Sequence, residues 1–96
     1  MLYCGCKFKN NFNDPKSISS NWISDIITID ENITWFATKD GLSVFDKRKK
    51  NFTRYKHNPL NNSSLSDNDV KCFLKDRNGC IWAGTTAGGI NFYNRA

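Results

Sequence analysis

The chain repeats itself at a fixed period, and that repeat limits its fold more than any single residue does. Trp35 and Trp82 lie 47 positions apart in one small frame, Ile33-Thr34-Trp35-Phe36-Ala37-Thr38 against Cys80-Ile81-Trp82-Ala83-Gly84-Thr85. The same shift pairs Ser19 with Ser66, Asn21 with Asn68, Ile23 with Val70 and Thr38 with Thr85. After the threonine one residue is inserted, so Gly41 matches Gly89, Leu42 matches Ile90 and Phe45 matches Tyr93. A period of roughly 20–50 residues points to propellers, solenoids or arrays, in which one unit cannot bury its own apolar faces and depends on neighbours.

Within each period the apolar runs are short, rich in β-branched and aromatic residues and bounded by Asn, Asp, Ser and Gly, which reads as strands joined by tight turns. Strands are expected at residues 7–12, 22–29, 33–38, 42–46, 51–56, 69–75, 80–85 and 90–94. Gly41 and Gly79 suit positive φ, and Asn32 stands at the place of Gly79 in the first copy, where Asn is the next most tolerant residue. The segment from Phe8 to Pro15 matches Phe52 to Pro59 with a shift of 44, so it reads as the fourth strand of an earlier unit followed by a shorter loop. Four short antiparallel strands per period make a propeller blade. The expected organisation is the end of a preceding blade and link at 1–15, one complete blade at 16–59, and a link with most of the next blade at 60–96. The expectation is an all-β fold of about two four-stranded antiparallel propeller blades, a slice of a larger array.

Composition narrows the function classes. An aromatic share of 14% opposes disorder. The net charge of +5 admits an anionic partner, but the dense run Lys47-Arg48-Lys49-Lys50 sits between two apolar segments and reads as a solvated hairpin turn. Cys4 and Cys6 are too close for an ordinary metal pair, and His57 has no partner at ligand spacing. In the expected hairpin Lys75 faces Cys80 and Cys72 faces Ala83, so Cys72 and Cys80 project from different positions and free thiols are expected. No metal, no cofactor and no catalytic constellation is expected. No segment nears the ~20 apolar residues of a membrane span, and the first six residues lack the form of a signal peptide.

At these residues the sequence resembles the two-component regulator propeller repeat. Leu65-Ser66-Asp67-Asn68, the turn Asp76 to Gly79, Ile81-Trp82-Ala83-Gly84-Thr85, Gly41-Leu42, Phe45-Asp46 and Phe52-Thr53-Arg54-Tyr55 match its successive elements. Ala37 stands where the pattern has Gly, and Ala83 where it has a larger apolar residue. The resemblance implies a non-catalytic part of the extracytoplasmic sensor half of a hybrid histidine kinase, periplasmic within a membrane-anchored parent. It implies a ligand such as a glycan, and partners in the remaining blades of the parent or in self-association, with no nucleic acid. The alternative reading is a basic β-domain that binds nucleic acid or another protein as an interaction module.

Ligand contacts in propellers come mainly from loops at one end of the central channel. The candidate ligand-binding residues are therefore Asn21, Trp22, Asp40, Asn68, Asp69 and Thr86. Trp22, at a strand start, either stacks on a sugar ring or packs between blades. Asp67 and Asp69 either accept hydrogen bonds from ligand hydroxyls or organise the loop backbone.

Overall fold

The computed structural model describes residues 8–94, and among them all regular structure is β. Seven strands follow in order: β1 (Ile23–Thr28), β2 (Ile33–Thr38), β3 (Gly41–Asp46), β4 (Asn51–Tyr55), β5 (Val70–Lys75), β6 (Ile81–Thr85) and β7 (Ile90–Tyr93). They form two antiparallel meanders, a four-stranded sheet β1-β2-β3-β4 and a three-stranded sheet β5-β6-β7. The seven strands from residue 22 onward lie where the periodicity places them, to within a residue at either end.

The two tryptophans hold equivalent places. Trp35 pairs Ile27 on one side and Val44 on the other, while Trp82 pairs Leu74 and Phe92. The first strand of each sheet carries a register shift at the same point, between Ile23 and Asp25 and between Val70 and Cys72. The turn of the second hairpin, closed by Asp76 N–H on the Cys80 carbonyl, displaces the pairs beside it by one residue from the expected register, and the bulge restores that register at Val70 and Thr85. Lys75 pairs Ile81 rather than Cys80, and Cys72 pairs Gly84 rather than Ala83. Cys72 is exposed and Cys80 buried; Cys4 and Cys6 lie outside the described residues.

The expected strand at 7–12 is not formed over its described part, and the shift of 44 is overturned. The loops 10–21 and 57–68 carry the same hydrogen bonds at a shift of 47. Asn10 N–H and His57 N–H donate to Asn21 Oδ1 and Asn68 Oδ1, each at 2.6 Å. Asn11 N–H and Asn58 N–H donate to Ser17 Oγ and Ser64 Oγ at 2.9 and 2.8 Å. The serine hydroxyls return to the carbonyls of Asn11 and Asn58. Phe8 therefore stands at the place of Tyr55, the last residue of β4, and residues 9–12 belong to the link. The two prolines, which invited the shorter shift, occupy different places in the two loops.

The sheets pack face to face. Ile29, Trp35 and Leu42 of the first meet Ile81 of the second, with Ile27, Ile33, Val44, Leu65 and Phe73 around them. Ala37 meets Val70 and Ala83. Trp35 is 7% exposed and lies edge-on to Phe73 and Tyr93, at centroid distances of 6.0 and 5.0 Å, the edge-to-face arrangement that aromatic quadrupoles favour. Two polar ties cross the same interface. Asp25 Oδ2 accepts the N–H of Phe73 at 2.8 Å, and Gly41 N–H donates to the carbonyl of Asn68.

The repeated Ser and Thr have a physical role. Ser43 Oγ donates to Ser19 Oγ at 2.8 Å, Ser19 Oγ lies 2.9 Å from Thr38 Oγ1, and Thr38 Oγ1 donates to the Gly41 carbonyl at 2.7 Å. This buried hydroxyl chain pins the incoming link to β2 and β3. In the second unit Ser66 with Asn91, and Thr85 with the Gly89 carbonyl, repeat two of these three links.

Positive φ is found at Gly41 (102°) and Gly79 (83°), as expected, and also at Gly89 (80°) and Lys50 (56°). Asn32 does not share it. In its turn Asp30 Oδ1 accepts the N–H groups of Asn32 and Ile33, so the side chain closes the turn without a left-handed residue.

Candidate functional site

The strand starts and the β2–β3 and β6–β7 turns lie at one end of the sheets and form a continuous rim. Each unit joins its strand start to its turn by one backbone bond, Lys39 N–H to the Trp22 carbonyl and Thr86 N–H to the Asp69 carbonyl. Between the units, the Gly41–Asn68 bond sets the turn at 39–41 against the second strand start. All six sequence-predicted residues therefore fall on this rim, though their side chains do different things.

Asn21 and Asn68 are committed to the fold. Their amide oxygens accept from Asn10 N–H and His57 N–H, and His57 Nδ1 also lies 2.7 Å from the Leu65 carbonyl. Asp40 is exposed and pairs with Lys56 Nζ at 2.8 Å, an ion pair worth little in water. Asp69 Oδ2 accepts the hydroxyl proton of Thr86 at 2.8 Å. Its Oδ1 is buried without a hydrogen bond, and Lys71 Nζ approaches that oxygen to 3.5 Å, an electrostatic contact rather than a hydrogen bond. Asp67 Oδ2 accepts Ala87 N–H at 2.9 Å and Oδ1 accepts Asp69 N–H at 3.3 Å. The Ala87 bond, followed by that from Asp69, holds the Asp67 carboxyl below its ordinary pKa. Asp67 thus holds loop backbone N–H groups with both oxygens, whereas the Asp69 carboxylate bonds the Thr86 hydroxyl.

Trp22 differs from the others. It is 60% exposed and its backbone is fixed from both sides, with its N–H donating to Ser20 Oγ at 3.0 Å and its carbonyl accepting from Lys39. The Lys39 ammonium sits 4.0 Å from the ring centroid, a cation–π contact. Trp22 and Lys39 occupy the slots of Asp69 and Thr86 one period on. The same backbone frame therefore presents an aromatic–cation pair in one unit and an acid–hydroxyl pair in the next. Lys39 lies in the turn that the sequence placed among the ligand-contacting loops, though it was not one of the six residues singled out. The signal for it was the period, which pairs it with Thr86.

Among the described residues no group of three or more His, Cys, Asp or Glu is placed to hold a metal ion. No helix among them is long and apolar enough to cross a membrane.

The chain resembles known proteins in two ways. A solved structure, the extracellular domain of a protein described as a hybrid two component system from B. thetaiotaomicron, superposes with a TM-score of 0.68 at 23% identity over 91% of this chain. This chain spans 14% of that one, so the likeness shows the propeller fold. No curated protein matches the chain. Residues 64–87, which run from the end of the Asn-rich link through β5 and β6 to the turn beyond, match the family described as two component regulator propeller. With the strand order and the repeated Trp frame already in place, the chain carries a repeat of the two component regulator propeller family.

Proposed function

We propose that this chain is a non-catalytic part of a sensor propeller in a two-component signal transduction protein. It lies outside the cytoplasm, in the periplasm of a membrane-anchored parent, and its rim binds a ligand such as a carbohydrate whose occupancy the parent transmits. The observation that carries this reading is Trp22, an exposed aromatic on the rim with its backbone fixed from both sides and a cation held against its ring. Aromatics of this kind give large contact area at small entropic cost. The extracellular placement of the similar hybrid two component system supports the compartment. The rim carboxylates support the absence of catalysis, since they are occupied by loop N–H groups, a hydroxyl and lysines rather than aimed together at a reacting atom.

The test is a glycan array probed with the full chain, followed by calorimetry on any hit with wild type and Trp22→Ala. A buried aromatic anchor is worth about 2 kcal/mol or more, so the variant should bind at least roughly tenfold more weakly. Equal affinity in the two proteins would remove Trp22 from the site.

A further inference from the structure

The β4 edge of the first sheet carries an exposed patch that neither the core nor the rim uses. At its centre is the link at 10–17, a loop held on both sides. Asn13 N–H donates to Asn11 Oδ1 and Asp14 N–H to the Asn11 carbonyl, both at 3.0 Å. The Arg54 guanidinium, on β4, donates to the carbonyls of Asp14 and Ser17, each at 2.9 Å. On this fixed loop stands Phe12, 94% exposed. A single apolar residue at the surface is ordinary, but this one is set among cations.

The hairpin turn Lys47-Arg48-Lys49-Lys50 is exposed throughout. It reaches the same edge, because the N–H of Phe52, two residues past the turn, donates to the Lys16 carbonyl at 2.9 Å. Lys9 and Lys16, exposed as well, lie on either side of Phe12 in the link. Neither ion pair found among the described residues, Lys56 with Asp40 and Lys71 with Asp69, uses any of these six cations. The carboxylates nearby are Asp14 and Asp46, with Asp30 and Glu31 in the turn beside the hairpin. Asp14, Asp46 and Asp30 each turn one oxygen to backbone N–H groups, and the cations outnumber all four. The hairpin is itself fixed, since Asp46 Oδ1 holds Arg48 N–H and the Asp46 carbonyl holds Lys50 N–H.

Stable attachment to a lipid leaflet takes two signals, a basic patch for the headgroups and an apolar group for the acyl boundary. Both are on this edge. A nucleic acid would use the cations, but a phenyl ring this exposed has no groove walls around it to guide a strand across its face. We propose that the edge docks on an anionic lipid surface, with Phe12 entering the boundary between headgroups and acyl chains while Lys9, Lys16 and the turn at 47–50 meet the headgroup phosphates. The proposal is independent of ligand binding at the rim.

The second link supplies an internal control. Its loop at 57–64 is closed by equivalent hydrogen bonds and presents Leu60, also 94% exposed, but the nearest cation in sequence, Lys56, is tied to Asp40. The test is co-sedimentation of the full chain with vesicles of phosphatidylcholine mixed with phosphatidylglycerol, and with vesicles of phosphatidylcholine alone. The mixed vesicles should retain the protein, the neutral ones should not, and added salt should release it. No retention on either, or equal retention on both, overturns the proposal. Each basic side chain at an anionic leaflet strengthens binding about fivefold. Lys47→Gln combined with Lys49→Gln should therefore weaken it roughly 25-fold. Phe12→Ser should weaken it by roughly tenfold or more, and Leu60→Ser should leave it unchanged. All these positions are exposed, and circular dichroism checks that the sheets persist. Wild-type binding by Phe12→Ser overturns the insertion. Equal losses in Phe12→Ser and Leu60→Ser mean general apolar adsorption and overturn the site. Tighter binding of the wild type to duplex DNA than to the mixed vesicles at the same salt assigns the edge to nucleic acid and overturns the proposal as well.

Discussion

At the residue scale several carboxylates hold backbone N–H groups, and two of them, Asp67 and Asp76, can be followed by titration. Asp25, at the bulge of β1, caps a backbone N–H of the neighbouring sheet. Hydrogen bonds to charged acceptors contribute about 1.5–3 kcal/mol, so Asp25→Ala should lower stability by that order in a urea melt; no change would mean that water replaces the carboxylate without loss. Cys72 holds the equivalent position in the second unit, so the same tie cannot be made there. Asp76 is held below its ordinary pKa of 3.8, first by the Trp82 indole N–H and then by the N–H groups of Cys80 and Asn78. Asp67 is lowered likewise by its loop. A depressed folded-state pKa adds stability that is complete above the unfolded value and is lost as the pH falls through the folded one. The wild type should therefore lose urea resistance below about pH 3.8. Asp76→Asn should show a smaller loss over that window, and parallel pH profiles for the two would exclude Asp76 as a contributor.

At the scale of the elements the turns decide stability, and the glycines rank in a way that space explains. A Cβ on Gly79 would meet nothing within 4 Å, whereas one on Gly41 would stand 2.6 Å from the Tyr55 carbonyl oxygen. Gly79→Val should cost only the left-handed penalty, about 1–2 kcal/mol. Gly41→Ala adds a backbone clash to that penalty and weakens the Gly41–Asn68 tie between sheets, so it should be the more damaging substitution despite its smaller side chain. Melts of the two variants in the opposite order would contradict the packing. Lys50 carries a left-handed conformation at φ 56°, closing the basic hairpin on the Asp46 carbonyl at 2.7 Å. Lys50→Gly should gain up to about 1 kcal/mol, the relief of that penalty less the extra entropy of glycine. A loss of stability there would show that the lysine side chain has a partner worth more than the strain.

At the scale of the whole molecule the distribution of apolar surface is the main finding. One interface is closed, and its two halves recur uncovered at the opposite ends of the chain. Stability in repeat architectures comes largely from such contacts between units. The melting midpoint should therefore rise with protein concentration. Trp82 fluorescence, isolated in a Trp22→Phe, Trp35→Phe background, should shift to the blue and resist quenching as concentration increases. A midpoint and an emission maximum that ignore concentration would mean that the two sheets close on themselves.

The period, the strands from residue 22 onward, the turn glycines and the family likeness are all local properties, carried by alternating apolar residues and by Gly and Asx at fixed intervals. They were legible in the amino-acid sequence, as was the set of loops that forms the rim. Three things were decided only in the folded structure. The place of Phe8 was decided by the loop hydrogen bonds from Asn11 to Ser17 and from Asn58 to Ser64, because two prolines in different slots mimic a landmark that the backbone does not share. The register of the second hairpin was decided by the bonds that close its turn, Asp76 N–H to the Cys80 carbonyl and Cys80 N–H to Asp76 Oδ1, which the residue types alone do not fix. The difference between Trp35 and Trp82, equivalent in their local frames yet 7 and 40% exposed, was decided by whether another sheet lies across the face, since burial depends on what the rest of the chain brings to a residue rather than on the residue itself.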